Sequence, residues 1–210
     1  MAFEKAFACD ELDARVLFEL DQLHKRFNKQ PADRLSYLQQ YEHLVAERDD
    51  LYTEYVLLHA LTGQYASAQQ LLAARNFHPW EGGEGKTSRL HIFIHVELAR
   101  QAIQESKWEE ALTWLQQAQQ YPDGLGEGKL YGAQENDIHY WMGVVYTALH
   151  QSEKALEYFT RASVGLEVPA QAFFYNDQQP DKIFYQGMAL MKLGKRSSPY
   201  PVQQPGTLWQ

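Results

Sequence analysis

The feature that most constrains this sequence is a short polar turn that recurs between two helical patterns. Four such turns occur, at residues 26–31, 61–65, 105–108 and 149–152. After the last three, apolar residues recur at spacings of three, four or seven, which put one apolar stripe on each second helix. The stripe residues are Ala68 and Leu72; Ala111, Leu115 and Ala118; and Ala155, Phe159 and Ala162. The pattern predicts a series of antiparallel helix hairpins.

Each first helix of these hairpins also carries an inward face. Its residues are Leu51, Tyr52, Tyr55, Leu58 and His59; Ile94, Leu98, Ala102 and Ile103; and Met142, Gly143 and Tyr146. In the last hairpin, small residues such as Gly143 and Ala155 are expected where helices cross closely, and Phe159 in the gap between them, since protein interiors tolerate few voids. The first hairpin matches this pattern less well, because Asp33 stands where an alanine is expected.

The spacing of the hairpins predicts where function should be sought. The small residues that begin the second helices, with Asp33 as the first equivalent, are separated by 35, 43 and 44 residues. The extra length lies in residues 77–89 and 121–135, and a third long connection, 164–181, follows the last hairpin. Because all three connect a second helix to the next first helix, stacking would bring them to one edge of a solenoid. We expect the functional residues at that edge, with the edge loops tied together.

Composition limits the classes of partner. The chain has 19 Lys plus Arg against 27 Asp plus Glu, a formal charge of −8, which disfavours nucleic acids and anionic membranes. Cys9 is the only cysteine, so an intramolecular disulfide and a multi-thiolate zinc site are excluded. The first residues lack the pattern of a signal peptide, and no run of about 18 apolar residues occurs. These features predict a cytoplasmic protein.

Motifs in the loops carry a more specific resemblance. They are Phe77-His78-Pro79-Trp80-Glu81-Gly82-Gly83-Glu84-Gly85-Lys86, residues 121–129, Asn136-Asp137 before His139-Tyr140-Trp141, Phe174-Tyr175-Asn176-Asp177, and residues 182–186. Over residues 3–195 the chain resembles the helical region of large bacterial proteins that join a β-rich domain of unknown function to tetratricopeptide (TPR) repeats. The resemblance implies a helical module that accompanies a carbohydrate-related domain.

Pattern and resemblance together predict an all-α fold, a TPR-like right-handed solenoid of antiparallel helix hairpins over residues 1–196, with long inter-repeat loops on one edge. A proline-rich tail, 197–210, follows. The family pattern continues into another helix where this chain has Ser197 to Pro201, which implies a fragment or a shortened gene product. Residues 181–193 carry more apolar surface than one helical stripe can hide, so we expect either the tail or a second copy of the chain, in a homodimer, to cover this C-terminal helix.

The segment Gly82 to Thr87 could be taken for a phosphate-binding loop. A Walker loop requires glycine five residues before Gly85, where this chain has Trp80, and a preceding strand, where residues 66–74 predict a helix. Glycines that permit positive φ in a tight loop explain the segment better. Gly-Glu-Gly-Lys recurs at residues 126–129 without a following Ser or Thr, which favours a shared structural device. We therefore expect no nucleotide and no other cofactor.

Two further groups have a functional and a structural interpretation. His91 and His95 stand four apart, as paired zinc ligands do, but no glutamate lies between them in the metalloprotease arrangement, so surface or hydrogen-bonded core histidines are expected. Asn136, Asp137 and His139 could supply acid–base chemistry. Asn136 or Asp137 is equally suited to cap the helix that begins there, and capping is the favoured interpretation.

The loops combine aromatic rings with carboxylates, which suits peptides or sugars, although the rings could equally anchor the loops on the helices. We expect a non-enzymatic scaffold, without metal, that binds a protein segment or its own missing β-rich domain. The alternative is an accessory module of a carbohydrate-active protein, contributing loop carboxylates and aromatics to a sugar site. The candidate partner-binding residues are His78, Trp80, Glu81, Glu84, Lys86, Glu127, Lys129, Asp137, His139, Tyr140, Asn176 and Asp177.

Overall fold

The computed structural model describes residues 2–166 and 177–195, and their regular structure is helical throughout, which confirms the all-α prediction for this part of the chain. The helices are α1 (Ala2–Cys9), α2 (Ala14–Arg26), α3 (Pro31–Gln39), α4 (Glu42–Val45), α5 (Asp49–Leu61), α6 (Tyr65–Ala73), α7 (Lys86–Gln104), α8 (Trp108–Ala118), α9 (Asn136–Ala148), α10 (Ser152–Ala162) and α11 (Pro180–Lys192), with a 3₁₀ turn at Asp123–Leu125. Within these residues, no helix combines the length and apolar character needed to cross a bilayer.

The chain divides into two compact units. Unit 1 comprises Met1–Leu98 and Gln120–Lys129, and unit 2 comprises Ala99–Gln119 and Leu130–Gln210. Unit 1 therefore holds α1 to α6 and the start of α7, whereas unit 2 holds the end of α7 and α8 to α11. Each unit has a buried apolar cluster of its own.

All four predicted turns are confirmed, and they share one backbone geometry. They join α2 to α3, α5 to α6, α7 to α8 and α9 to α10. Each turn has one residue at positive φ: Asn28 at 55°, Gly63 at 78°, Ser106 at 58° and His150 at 58°. The N–H of that residue donates to the carbonyl three positions back, and the next N–H donates to the carbonyl five positions back. This pair of bonds is the Schellman motif, which satisfies the last carbonyls of a helix.

Three of these turns have a side chain at the position that glycine fills best. The left-handed conformation costs a non-glycine residue about 1 kcal/mol, and Ser106 and His150 are both exposed. We therefore expect Ser106→Gly and His150→Gly each to raise the free energy of unfolding by about 1 kcal/mol in urea denaturation. Gly63→Ser is the reciprocal control and should lower it by a similar amount. A loss of stability in both glycine variants would contradict the strain argument.

The predicted packing of small residues against large ones is confirmed in the hairpin of α9 and α10. A Cβ added at Gly143 would lie 2.7 Å from the ring of Phe159, closer than carbon atoms can approach. The stripe alanines Ala68, Ala111 and Ala155 are buried as well. Side-chain volume at these positions therefore sets how closely the two helices of a hairpin approach.

The first hairpin departs from this rule, and the assignment of Asp33 to the packed position is wrong. Asp33 is exposed, and the inward residues of α3 are Arg34, Leu35 and Leu38. Burial of Arg34 is possible because Asp21 receives two bonds from its guanidinium, Nε to Oδ1 at 2.9 Å and Nη2 to Oδ2 at 2.6 Å. The repeat is thus preserved at the turn but not at the packed position.

Glu54 and Lys25 extend this ion network from the buried Arg34 to the surface. Arg34 also donates to Glu54 Oε2 at 3.0 Å, and Lys25 Nζ lies 2.6 Å from Glu54 Oε1. Burial by itself would raise the pKa of Glu54, but the hydrogen bonds from Lys25 and Arg34 outweigh it and lower the pKa below its usual value. Two cations and two carboxylates therefore balance one another, with Lys25 at the surface, since its side chain is 45% exposed.

The surplus of apolar surface predicted for the C-terminal helix is present. On α11, Phe184 is 60% exposed and Met191 is 65% exposed. The helix ends at Gly194 in the same Schellman geometry as the hairpin turns. The predicted tail, 197–210, lies outside the described residues.

Candidate functional site

Two long loops of unit 1, residues 74–85 and 121–129, form a connected surface that we call the loop pair. The N–H of Phe77 donates to the carbonyl of Gly124 at 2.8 Å. A Cβ at Gly126, which has φ 72°, would lie 2.5 Å from the Phe77 carbonyl oxygen. The prediction that these two loops are tied together is confirmed.

The strongest link in the loop pair is Glu127, which caps the N-terminus of α7. Its carboxylate accepts bonds from the backbone N–H of Gly85 at 2.7 Å and of Ser88 at 2.8 Å, and from the Thr87 hydroxyl at 2.5 Å. The first N–H groups of a helix have no partner within the helix, and negative charge is favourable there. Glu127 supplies both needs from a segment about forty residues away.

The capping role of Glu127 argues against a phosphate-binding loop at residues 82–87. In a phosphate loop the anion binds at a helix N-terminus, and here the Glu127 carboxylate occupies that position on α7. The two Gly-Glu-Gly-Lys segments also differ in role, contrary to the expectation of a shared device. Glu127 caps a helix, whereas Glu84, its counterpart in the first segment, is exposed.

The other predicted residues of the loop pair lie on its outer side. Glu81, Glu84, Lys86 and Lys129 are exposed, and the side chain of His78 is 87% exposed. Trp80 is half-buried with its ring against Gly83, where an added Cβ would lie 2.3 Å from the indole. Because the carboxylate of Glu127 is engaged by α7, these residues form an exposed polar rim rather than a cluster of free acids.

Asp49, at the start of α5, holds the beginning of the loop pair. Its Oδ1 accepts from Arg75 Nε at 2.5 Å and its Oδ2 from the backbone N–H of His78 at 3.0 Å. Burial by itself would raise the pKa of Asp49, but the bonds from His78 and Arg75 outweigh it and lower the pKa. The guanidinium of Arg75 also lies 4.5 Å from the centre of the Tyr52 ring. One carboxylate thus positions the segment that carries His78.

The lowered pKa of Asp49 predicts a pH-dependent contribution to stability. A carboxyl group with a depressed folded-state pKa stabilises the fold above its unfolded value of about 4, and this stabilisation is lost as the pH falls through the folded-state pKa. Asp49→Asn should therefore lower the free energy of unfolding by about 2 kcal/mol at pH 7 and by progressively less below about pH 4. Urea denaturation of both proteins across this range measures the difference. A difference that stays constant with pH would contradict the assigned role of the charge.

The histidine pair on α7 belongs to the core. His91 and His95 are 5% and 3% exposed, and His95 Nδ1 lies 2.8 Å from the carbonyl oxygen of His91. Burial, followed by the effect of His91, lowers the pKa of His95 to about 4, so His95 is neutral at pH 7. Across residues 2–166 and 177–195, no cluster of three or more His, Cys, Asp or Glu side chains is arranged to hold a metal ion. Of the two expected placements, surface or hydrogen-bonded core, both histidines lie in the core, and the ring of His95 is hydrogen-bonded.

The capping interpretation at the start of α9 is wrong. The N-cap residue is Glu135, whose side chain makes no capping bond within the described residues. The Asn136 amide instead donates to the carbonyls of Ala162 at 2.9 Å and Val164 at 2.7 Å. Asn136 therefore fixes the end of the hairpin rather than the end of its own helix.

The predicted residues of unit 2 mostly make contacts within that unit. Asp137 is 5% exposed and its Oδ2 lies 2.5 Å from Lys182 Nζ on α11, while Tyr140 is buried between Phe159 and Tyr185. Half-buried His139 lies beside Gln119, with its Nε2 3.4 Å from Nε2 of the amide. Asp177 is half-buried, and Asn176 lies outside the described residues.

A second candidate surface, which we call the first-helix row, was not predicted from the sequence. It consists of Arg100 on α7, Trp141 on α9 and Tyr185 on α11, all half-exposed. The guanidinium of Arg100 lies 5.3 Å from the Trp141 ring centre, and the Trp141 indole N–H donates to the Tyr185 hydroxyl at 3.2 Å. Trp141 and Tyr185 each stand nine residues before the positive-φ residue of their turn, a register signal that could have identified them. No known family model matches this chain, so both surfaces are interpreted from their own geometry.

Proposed function

We propose that this chain is a cytoplasmic, non-enzymatic TPR-like scaffold that binds an extended protein segment along the first helices of its hairpins. The observation that carries the proposal is the first-helix row, in which three successive first helices each contribute one half-exposed side chain. In stacked helical hairpins the equivalent helices line one continuous surface. The four identical turns and the close packing of Gly143 on Phe159 support a TPR-like arrangement.

The chemistry of the row suits a protein partner. Tryptophan, tyrosine and arginine are the residues most enriched among those that dominate binding energy at protein interfaces. Arg100 and Tyr185 hold Trp141 from two sides, so little side-chain freedom remains to be lost on binding. The partner is a segment of another protein or a β-rich domain of the same polypeptide.

The carbohydrate alternative receives less support. That function requires loop carboxylates that can bind sugar hydroxyls, whereas the carboxylate of Glu127 caps α7. Glu81 and Glu84 remain exposed, but an exposed carboxylate competes with water for the hydrogen bonds of a sugar. No observation in the described residues favours that function over peptide binding.

The test is selection of binders from a displayed library of random peptides on the full chain, followed by calorimetry. The expected result is a peptide whose affinity falls at least about tenfold in Arg100→Ala and in Trp141→Ala, as for residues central to an interface. Trp114→Ala is the matched control, because Trp114 is a half-exposed tryptophan on a second helix, α8, and its loss should leave the affinity unchanged.

Melting curves of each variant separate loss of binding from loss of structure. Failure to select any specific peptide, or peptides that respond to Trp114→Ala and not to the row, would overturn the proposal. Binding of oligosaccharides that is abolished by Glu81→Gln with Glu84→Gln would favour the alternative instead.

A further inference from the structure

Helix α11 carries an apolar stripe that the described part of unit 2 leaves uncovered. The stripe consists of Phe184, Gly187 and Met191, which stand three and four residues apart and therefore share one helix face. Phe184 is 60% exposed and Met191 is 65% exposed. Other residues of the helix, Tyr185, Met188, Ala189 and Leu193, pack into the core of unit 2.

Gly187 in the middle of this stripe has no internal explanation. Glycine within a helix costs about 1 kcal/mol relative to alanine. A Cβ built at Gly187 meets nothing within 4 Å, unlike the one at Gly143, which would strike Phe159 at 2.7 Å. Packing among the described residues therefore does not require a glycine here. A glycine on an exposed apolar face is suited to close approach by another backbone.

The stripe is complementary to itself when one copy is turned end for end. Gly187 lies near its centre, with Phe184 on one side and Met191 on the other. An antiparallel pair would place Phe184 of one copy against Met191 of the second copy. The same operation would bring Asp181, at the start of the helix, near Lys192, at its end, and both residues are exposed. A two-fold interface requires this kind of self-complementarity.

We infer that two copies of this chain pair through α11 in an antiparallel arrangement, with the two Gly187 residues at the crossing point. The stripe supplies the apolar contact, and the charges at the helix ends set the antiparallel direction. A contact through one helix from each copy is small, so the dimer is weak and forms in the micromolar to millimolar range.

The test is sedimentation equilibrium of the full chain from about 1 μM to about 1 mM. The wild-type protein is expected to shift from monomer to dimer across this range. Gly187→Glu places like charges at the crossing point and should weaken the dimer about 100-fold. It should not lower the melting temperature, because glutamate has a higher helix propensity than glycine. Gly128→Glu is the matched control, since an added Cβ there also meets nothing within 4 Å and the residue lies in the loop pair.

Charge reversal tests the direction of pairing. Asp181→Lys and Lys192→Asp should each weaken the dimer about tenfold, and the two together should restore it. A wild-type chain that stays monomeric throughout, or a dimer unaffected by Gly187→Glu, would overturn the inference. Leu208→Ser with Trp209→Ser tests the tail as the cover instead. An unchanged dimer in that variant supports pairing through α11, whereas a dimer that appears only in that variant assigns the stripe to the tail.

Discussion

Replacing Arg34 with methionine is expected to lower the free energy of unfolding of unit 1 by about 4 kcal/mol. The side chain of Asp21 is 1% exposed, and Arg34 donates two hydrogen bonds to it. Methionine fills much of the same volume but leaves the Asp21 carboxylate charged, buried and without its partner. Removing one member of a buried ion pair is far more costly than the net contribution of the pair itself. Urea denaturation measures the loss.

Two further variants isolate the cause of that effect. Arg48→Met removes a guanidinium that also donates two bonds to one carboxylate, Asp50, but its side chain is 38% exposed, so the loss should stay below about 1 kcal/mol. Adding Asp21→Leu to Arg34→Met should recover most of the stability, because the stranded charge is then gone. A double variant no more stable than Arg34→Met would show that the loss comes from packing rather than charge.

Replacing Glu127 with alanine is expected to lower the free energy of unfolding by about 3 kcal/mol, since three donors at the start of α7 lose a charged acceptor. Amide hydrogen exchange should show the first turn of α7 and residues 121–129 opening together. The measurement therefore reports whether one side chain joins the two loops.

The sequence itself supplies the control for this change. Glu84 occupies the equivalent position in the first Gly-Glu-Gly-Lys segment and is exposed, so Glu84→Ala should change the free energy of unfolding by less than about 0.5 kcal/mol. Equal effects of the two substitutions would contradict the capping role of Glu127 and would return the pair to a shared structural function.

The hairpins could be predicted because their signals are local. Apolar residues at helical spacing and a polar turn lie within about thirty residues of one another, so the sequence alone indicates which segments pair. Burial of Ala68, Ala111 and Ala155 follows directly from that spacing. The prediction for Asp33 was wrong because it assumed that the first hairpin packs like the others. Instead, the distant Asp21 permits Arg34 to be buried in place of Asp33.

The site was harder to predict because its side chains find partners far along the chain. Asn136 has the character of a capping residue, but its side chain is positioned by bonds from its Nδ2 to carbonyls 26 and 28 residues away. Glu127 was predicted to bind a partner, and the sequence could not show that its carboxylate accepts bonds from N–H groups at the start of α7. The first-helix row depends on contacts between helices more than forty residues apart, and only Trp141 and Tyr185 share a position relative to their turns that the sequence could have shown.

The tryptophan indoles offer the most direct test of the proposed function. The chain has five tryptophans, and each gives a separate side-chain N–H signal in a proton–nitrogen correlation spectrum of the full-length protein. On titration with a selected peptide, we expect the Trp141 signal to shift, because the indole N–H of Trp141 donates a hydrogen bond to Tyr185 within the first-helix row. The signal of Trp114, on α8, should stay in place. A shift of Trp80 or Trp114 with Trp141 unchanged would contradict binding along the first helices.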